Sequence, residues 1–268
     1  MNTIEFFGTV VKPLVTRGKK MLKPLKTGRI AEHIFCVRDK DVNLFLIKTA
    51  DAYIAIDSGY KNSKNVQRGL RDLDIDPKTV RAVFLTHLDL DHAGGVDSRC
   101  TDVFPNAHVY LGEEEEKYLR SIYFRKKLLF FNLKTPIRIT KPYTCLKNGA
   151  VTDIDGTLIE TVYVPGHTLG HVCYILNRDI LFTGDCLLLN EKGGWCMYDL
   201  WNVDTALNIA SLFTLKELVF DRHCKLIITS HTGFTMNIGA AFARIDKVPQ
   251  WKSKGFTFIK DAPDDLYR

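Results

Sequence analysis

The apolar run Val80-Arg81-Ala82-Val83-Phe84-Leu85 passes without a linker into Thr86-His87-Leu88-Asp89-Leu90-Asp91-His92-Ala93-Gly94-Gly95, and this junction constrains the chain more than any other stretch. The run reads as a buried strand. At its tip His87, Asp89, Asp91 and His92 offer four side chains able to bind a divalent cation within six residues. Gly94 and Gly95 then let the backbone turn closely past them into a helix, predicted to reach about Phe104. One strand end thus presents a metal-binding cluster.

Further motifs follow in order: Pro165-Gly166-His167-Thr168, Thr183-Gly184-Asp185 and Ser230-His231-Thr232, with Ala55-Ile56-Asp57-Ser58-Gly59 upstream. His87-x-Asp89-x-Asp91-His92 resembles the His-x-His-x-Asp-His signature of the metallo-β-lactamase fold family, departing from it at Asp89. The other four resemble that family's third metal motif, bridging-carboxylate motif, last histidine motif and the Asp-x-Gly beneath the metal loop. Five ordered matches are far more specific than any one alone. The resemblance implies an α/β fold, a four-layer αββα sandwich of two mixed β-sheets flanked by helices. On that basis the chain divides into a basic arm (1–29), the family domain (30–250) with a lid-like insertion at about 113–142, and a C-terminal tail (251–268).

Carried over position by position, the resemblance implies that His87, Asp89 and His167 hold one metal and that Asp91, His92 and His231 hold a second, with Asp185 bridging. Asp57 and His171 then support the ligands from behind. Two divalent ions are expected, zinc first, because imidazole and carboxylate at an open site suit it; manganese or iron gains ground through the extra oxygen donor of Asp89. The implied reaction is hydrolysis of a small ester, lactone, thioester or phosphodiester by a metal-bound hydroxide, with Asp91 catalytic and Tyr198 the candidate general acid. Two other readings remain open at this stage: a di-iron redox protein of the same fold, suggested by the carboxylate at position 89, and a non-catalytic metal-binding scaffold. Cys186, beside Asp185, reads as a small buried residue more readily than as a soft ligand.

The 268 residues suit one large domain. No run of eighteen apolar residues is present, and Met1-Asn2-Thr3-Ile4-Glu5-Phe6 lacks a basic start and a cleavage-like site, so a cytoplasmic protein is expected, which argues against a secreted antibiotic-degrading role. Seven cysteines without a Cys-x-x-Cys pair fit free thiols. The net charge of +6 is unevenly distributed: Ser121–Leu133 interleaves Ile122, Tyr123, Phe124 and Leu128 with Arg125, Lys126 and Lys127. That segment reads either as a substrate wall whose three cations bind an anionic small molecule, as a surface for a membrane or a second subunit in a homodimer, or as an ordinary amphipathic helix. Nucleic acid is not expected as a partner, because no recognisable binding motif accompanies the charge. Glu113 to Glu116 read as a solvated helix start.

Overall fold

The computed structural model describes Val10, residues 22–128 and residues 131–249; most of the basic arm, and the whole C-terminal tail, lie outside the described residues. The first half opens as an antiparallel meander of β1 (Gly28–Ala31), β2 (Ile34–Asp39), β3 (Val42–Lys48) and β4 (Tyr53–Ile56). Helix α1 (Lys64–Asp72) follows, started by Ser63, whose hydroxyl accepts the backbone N–H groups of Asn65 and Val66. It returns the chain to β5 (Val80–Leu85), parallel to β4. After the short α2 (Leu90–Ala93), β6 (His108–Gly112) adds parallel to β5. Helix α3 (Glu113–Leu119) and a hairpin of β7 (Lys126–Leu128) and β8 (Phe131–Leu133) precede β9 (Tyr143–Leu146), which closes a seven-stranded sheet.

The second half builds a six-stranded sheet from β10 (Val151–Ile154), β11 (Thr157–Tyr163), β12 (Val172–Leu176), β13 (Ile180–Phe182), and later β16 and β17. Between them stand a second hairpin, β14 (Leu187–Asn190) and β15 (Gly193–Cys196), and the long α4 (Thr205–Asp221), capped by the Asp204 carboxylate on the Leu207 N–H. Strand β16 (Leu226–Thr229) pairs parallel to β13, β17 (Gly233–Thr235) pairs antiparallel to β16, and α5 (Ile238–Ala241) follows.

Strands buried on both faces read as unbroken apolar runs. Leu44 to Ile47 of β3 and all of β12 are buried, because each sheet is covered on both sides. Between the sheets, Phe84 stacks on Tyr110 at 4.5 Å and meets Tyr174 edge-on at 5.3 Å, contacts worth about 0.5 to 1.5 kcal/mol each beyond burial. Val66, Leu70 and Tyr118 cover the outer face of the first sheet, and Leu212, Leu215 and Val219 cover that of the second. The result is the four-layer αββα sandwich.

Several local expectations are corrected. The helix predicted to follow Gly95 as far as Phe104 does not form: the helical turn Leu90–Ala93 precedes the glycines, a 3-10 turn covers Gly94–Val96, and the Val103 N–H bonds back to the Gly95 carbonyl. The described residues of Ser121–Leu133 form a turn and the paired strands β7 and β8, so the helix reading of this segment does not hold. After β17 the chain forms only the short α5, with Phe242 and Ala243 turning back onto it.

Both sheets deliver their motifs at one end. The backbone ties Val172 N–H to Thr86 O at 3.0 Å and Asn43 N–H to Ser230 O at 2.8 Å, so loops from opposite sheets converge. Gly95 permits a close approach to the β4 end: a Cβ there would lie 2.3 Å from the Ser58 carbonyl oxygen. We predict that Gly95→Ala forces the metal loop off the β4 end and destabilises the fold by about 1 to 3 kcal/mol or more. A lower urea midpoint at unchanged slope would show it; an unchanged midpoint would mean that the loop yields freely.

Candidate metal centre

The loop after β5 is held by one carboxylate. Asp57 Oδ1 accepts the Thr86 N–H at 2.8 Å, Thr86 Oγ1 lies 3.0 Å from both Asp57 oxygens, and Asp57 Oδ2 meets His92 Nδ1 at 2.8 Å. The Thr86 hydroxyl proton goes to Asp57, leaving its lone pair for the Nδ1–H of His87 at 2.9 Å. Asp57 therefore orients both histidines from beneath.

His231 and His167 are set in the same way. His231 Nδ1 donates to the Asp41 carbonyl at 2.5 Å, and His167 Nδ1 faces the Asn202 side-chain oxygen at 3.3 Å. Each ring with Nδ1 so engaged turns its Nε2 lone pair toward the centre, the arrangement metal-binding imidazoles need. Neither Asp41 nor Asn202 stands in a motif, and sequence reading found neither.

The inward-facing donors form two groups around Asp185. In one, His87 Nε2 and His167 Nε2 lie 3.9 and 3.6 Å from Asp185 Oδ2, and 3.6 and 3.3 Å from Asp89 Oδ2. In the other, His92 Nε2 and His231 Nε2 lie 3.7 and 3.4 Å from Asp91 Oδ2, and His231 Nε2 lies 3.1 Å from Asp185 Oδ2. Ligands about 2.1 Å from a tetrahedral ion stand roughly 3.4 Å from one another, which these spacings approach. His87 Nε2, His92 Nε2 and Asp185 Oδ1 are buried without a hydrogen-bond partner; Asp185 Oδ1 comes within 3.2 Å of His92 Nε2, but not in hydrogen-bonding geometry. Orphaned buried polar atoms are costly. A divalent ion fits them.

Electrostatics separates the histidines. Burial alone would lower every imidazole pKa; at His92 the carboxylates of Asp185, Asp57 and Asp91 outweigh it and hold the pKa well above the ordinary value. Burial lowers His87, and burial with the nearby Arg125 charge takes His167 down to about 3. Burial opposes ionisation of Asp185, yet the charges of His231 and His92 hold its pKa well below the usual range.

His171 stands behind the centre: its Nε2 accepts the Asp185 N–H at 3.1 Å, which fixes the Asp185 backbone. Gly184 is required beside it, since a Cβ there would lie 2.6 Å from that nitrogen at a φ of +54°. Cys186 is a buried thiol packed 3.6 Å from Cys173 Sγ and bonded to the Thr183 carbonyl.

Two sequence-based candidates, Arg125 and Tyr198, have other partners in the structure, and two more, Lys126 and Lys127, have side chains outside the described residues. Arg125 forks onto Asp89, Nε to Oδ1 at 2.7 Å and Nη2 to Oδ2 at 2.8 Å, and it also donates to the carbonyls of His167 and Trp201. With those donors engaged it is poorly available to a substrate anion. Lys126 and Lys127 begin β7, and their side chains lie outside the described residues. Tyr198 is 2% exposed in an apolar cluster with Leu22, Leu188 and Met197, and burial pushes its phenol pKa up, which makes it a poorer proton donor.

The acidic run at the start of α3 is corrected too. Glu115 is buried, accepts the Leu88 N–H at 2.8 Å and the Thr168 hydroxyl at 2.6 Å, and so clamps the first metal loop to the third-motif loop. Burial raises its pKa to about 7. Its inward position, one helical turn before buried Tyr118, was the available signal, hidden among three neighbouring glutamates.

With the geometry in place, comparison with known proteins is direct. The sequence profile of the metallo-beta-lactamase superfamily matches residues 37–231. The lactamase-like protein adaB of Aspergillus niger is 26% identical over 152 residues, covering 54% of this chain and 39% of adaB. Hydroxyacylglutathione hydrolase of Francisella tularensis subsp. novicida is 28% identical over 116 residues, covering 43% of this chain and 37% of that enzyme. The match thus spans less than two fifths of either relative. Among solved structures, a B3 metallo-beta-lactamase with an active-site glutamic acid superposes with a TM-score of 0.62 at 19% identity, covering 85% of this chain and 89% of that one. BJP-1 of Bradyrhizobium japonicum gives a TM-score of 0.60 at 19% identity, covering 80% of each chain. The ordered motifs, the sandwich with its donors at one end, and the matched profile agree: the chain belongs to the metallo-beta-lactamase superfamily.

Proposed function

We propose that the protein is a metal-dependent hydrolase of a small ester, lactone, thioester or phosphodiester, with zinc as its metal. The carrying observation is the pair of adjacent buried donor groups, His87 with His167 and Asp185 and Asp91 with His92 and His231, in which His87 Nε2, His92 Nε2 and Asp185 Oδ1 lack hydrogen-bond partners. The hydrolytic relative hydroxyacylglutathione hydrolase supports the reaction class. His87, His167 and Asp185, with Asp89 beside them, would hold one ion, and Asp91, His92, His231 and Asp185 the other. When bound, such ions polarise a carbonyl or phosphoryl oxygen and acidify water.

The chain's own residues supply the rest. Asp91 Oδ2, 3.4 Å from His231 Nε2, is the carboxylate placed to hold a proton at the centre. Asp57, Asp41 and Asn202 keep the imidazoles in the tautomer that leaves Nε2 free of hydrogen. Glu115 keeps the two loops in register.

Two outcomes are expected. In the metal-free chain the raised pKa of His92 stabilises the fold fully below about pH 6.5, and that contribution is lost as pH rises through the raised folded value. An ion displaces this proton, so zinc affinity climbs with pH and calorimetry in buffers of different ionisation enthalpy records proton release. A pH-independent affinity without proton release would remove His92 from the ligand set. Zinc-loaded protein assayed on p-nitrophenyl acetate, a thioester, a lactone and bis(p-nitrophenyl) phosphate should turn over at least one, and Asp91→Asn should lower that rate by about 100-fold or more. Metal-loaded protein inert on all four would sink the hydrolytic reading.

No helix among the described residues is long and apolar enough to cross a membrane.

A further inference from the structure

The family pattern has a neutral histidine where this chain has Asp89, and an anion there would add negative charge to a centre that already holds Asp91 and Asp185. The structure shows what accompanies it. Arg125, 36 residues away, meets Asp89 in a two-pronged pair at 2.7 and 2.8 Å, with the two side chains only 16% and 21% exposed. The pair is charge-neutral as a unit.

Arg125 is itself held from several sides. Nη1 donates to the His167 carbonyl at 3.0 Å and Nη2 to the Trp201 carbonyl at 2.6 Å, while Nη2 lies 3.2 Å from His167 Nε2. Its backbone N–H bonds to the Leu133 carbonyl at 2.7 Å, at the base of the β7–β8 hairpin, and Tyr123 two residues earlier is tied through its hydroxyl to Glu114 of α3. The inserted segment therefore delivers one rigid guanidinium to one carboxylate. The opposite side of that carboxylate faces inward, with Oδ2 3.3 Å from His167 Nε2 and 3.6 Å from His87 Nε2. A carboxylate oxygen can accept from a guanidinium on one side and offer a lone pair on the other.

We propose that Asp89 and Arg125 work as one neutral ligand unit in place of a histidine, with Asp89 offering the donor oxygen and Arg125 acting as the positioning residue that fixes it and cancels its charge. This rests on the metal centre of the hydrolytic reading and goes beyond it, because it assigns the hairpin insertion to tuning the metal rather than to grasping substrate. It also reverses the expectation that Asp89 favours manganese or iron: the added oxygen donor arrives with its charge already balanced, and zinc remains the preferred ion.

The test is a double-mutant cycle read by zinc binding alone, in competition with a chromophoric chelator and without substrate. Asp89→His strands a buried guanidinium beside the ion and should weaken zinc binding at one site by about tenfold or more. Adding Arg125→Met to that variant should bring binding back to within about threefold of wild type, a gain that Arg125→Met does not produce in the wild-type background. The Asp89→Asn and Arg125→Gln pair repeats the cycle with closer shapes, and far-ultraviolet circular dichroism reports folding of each protein. Manganese competition supplies a second readout: Arg125→Met, which leaves Asp89 uncompensated, should shift preference toward manganese. If Arg125→Met changes zinc affinity by the same factor in both backgrounds, the two residues act independently and the proposal is overturned, with the hydrolytic reading left standing. Absence of zinc binding in the folded wild-type protein overturns both.

Discussion

The centre depends first on the Asp57 carboxylate. It is buried at 1% exposure and held at a φ of +63°, a backbone conformation that aspartate tolerates better than most residues, and it accepts from the Thr86 backbone, the Thr86 hydroxyl and the His92 ring. Those bonds join the end of β4 to the loop after β5, so two parallel strands share one anchor. Because Thr86 relays the same carboxylate to His87, two inward-facing imidazoles are oriented by a single acid. The left-handed backbone at Asp57 follows from this geometry: the side chain must turn back beneath the loop while Asp57 N–H still bonds to the Phe84 carbonyl.

The rest of the molecule distributes charge around that anchor. Carboxylates surround His92 and raise its pKa, whereas burial and the nearby Arg125 charge lower that of His167, so the two donor groups differ in proton affinity. Glu115 and Arg125 both come from the stretch between β6 and β9, and both act on the loop that carries Asp89: one clamps the Leu88 backbone, the other grips the Asp89 side chain. An insertion expected to wall a substrate groove is thus tied chiefly to the metal loop. Such contacts are strong where solvent is excluded, since a charge-assisted fork loses little to screening at low exposure.

What the sequence determined by itself was local or ordered along the chain. The spacing from His87 to His92 and the glycines after it place four donor-type side chains at one strand tip. Helices α1 and α4 begin at Ser63 and Asp204, local cap residues whose effect does not depend on distant partners. His167, Asp185 and His231 each end or precede a strand, so their convergence followed once the family order was read. Only the tertiary structure decided which charges face one another. Asp89 and Arg125 are 36 residues apart, His231 and Asp41 are 190, and neither contact leaves a periodic trace in the chain. Glu115 looks like its neighbours until α3 packs, and Tyr198 looks like a loop aromatic until Leu22 and Leu188 close over it. The physical reason is common to these cases: periodicity reports which face of an element is buried, whereas the partner a buried polar group meets depends on how distant elements stack.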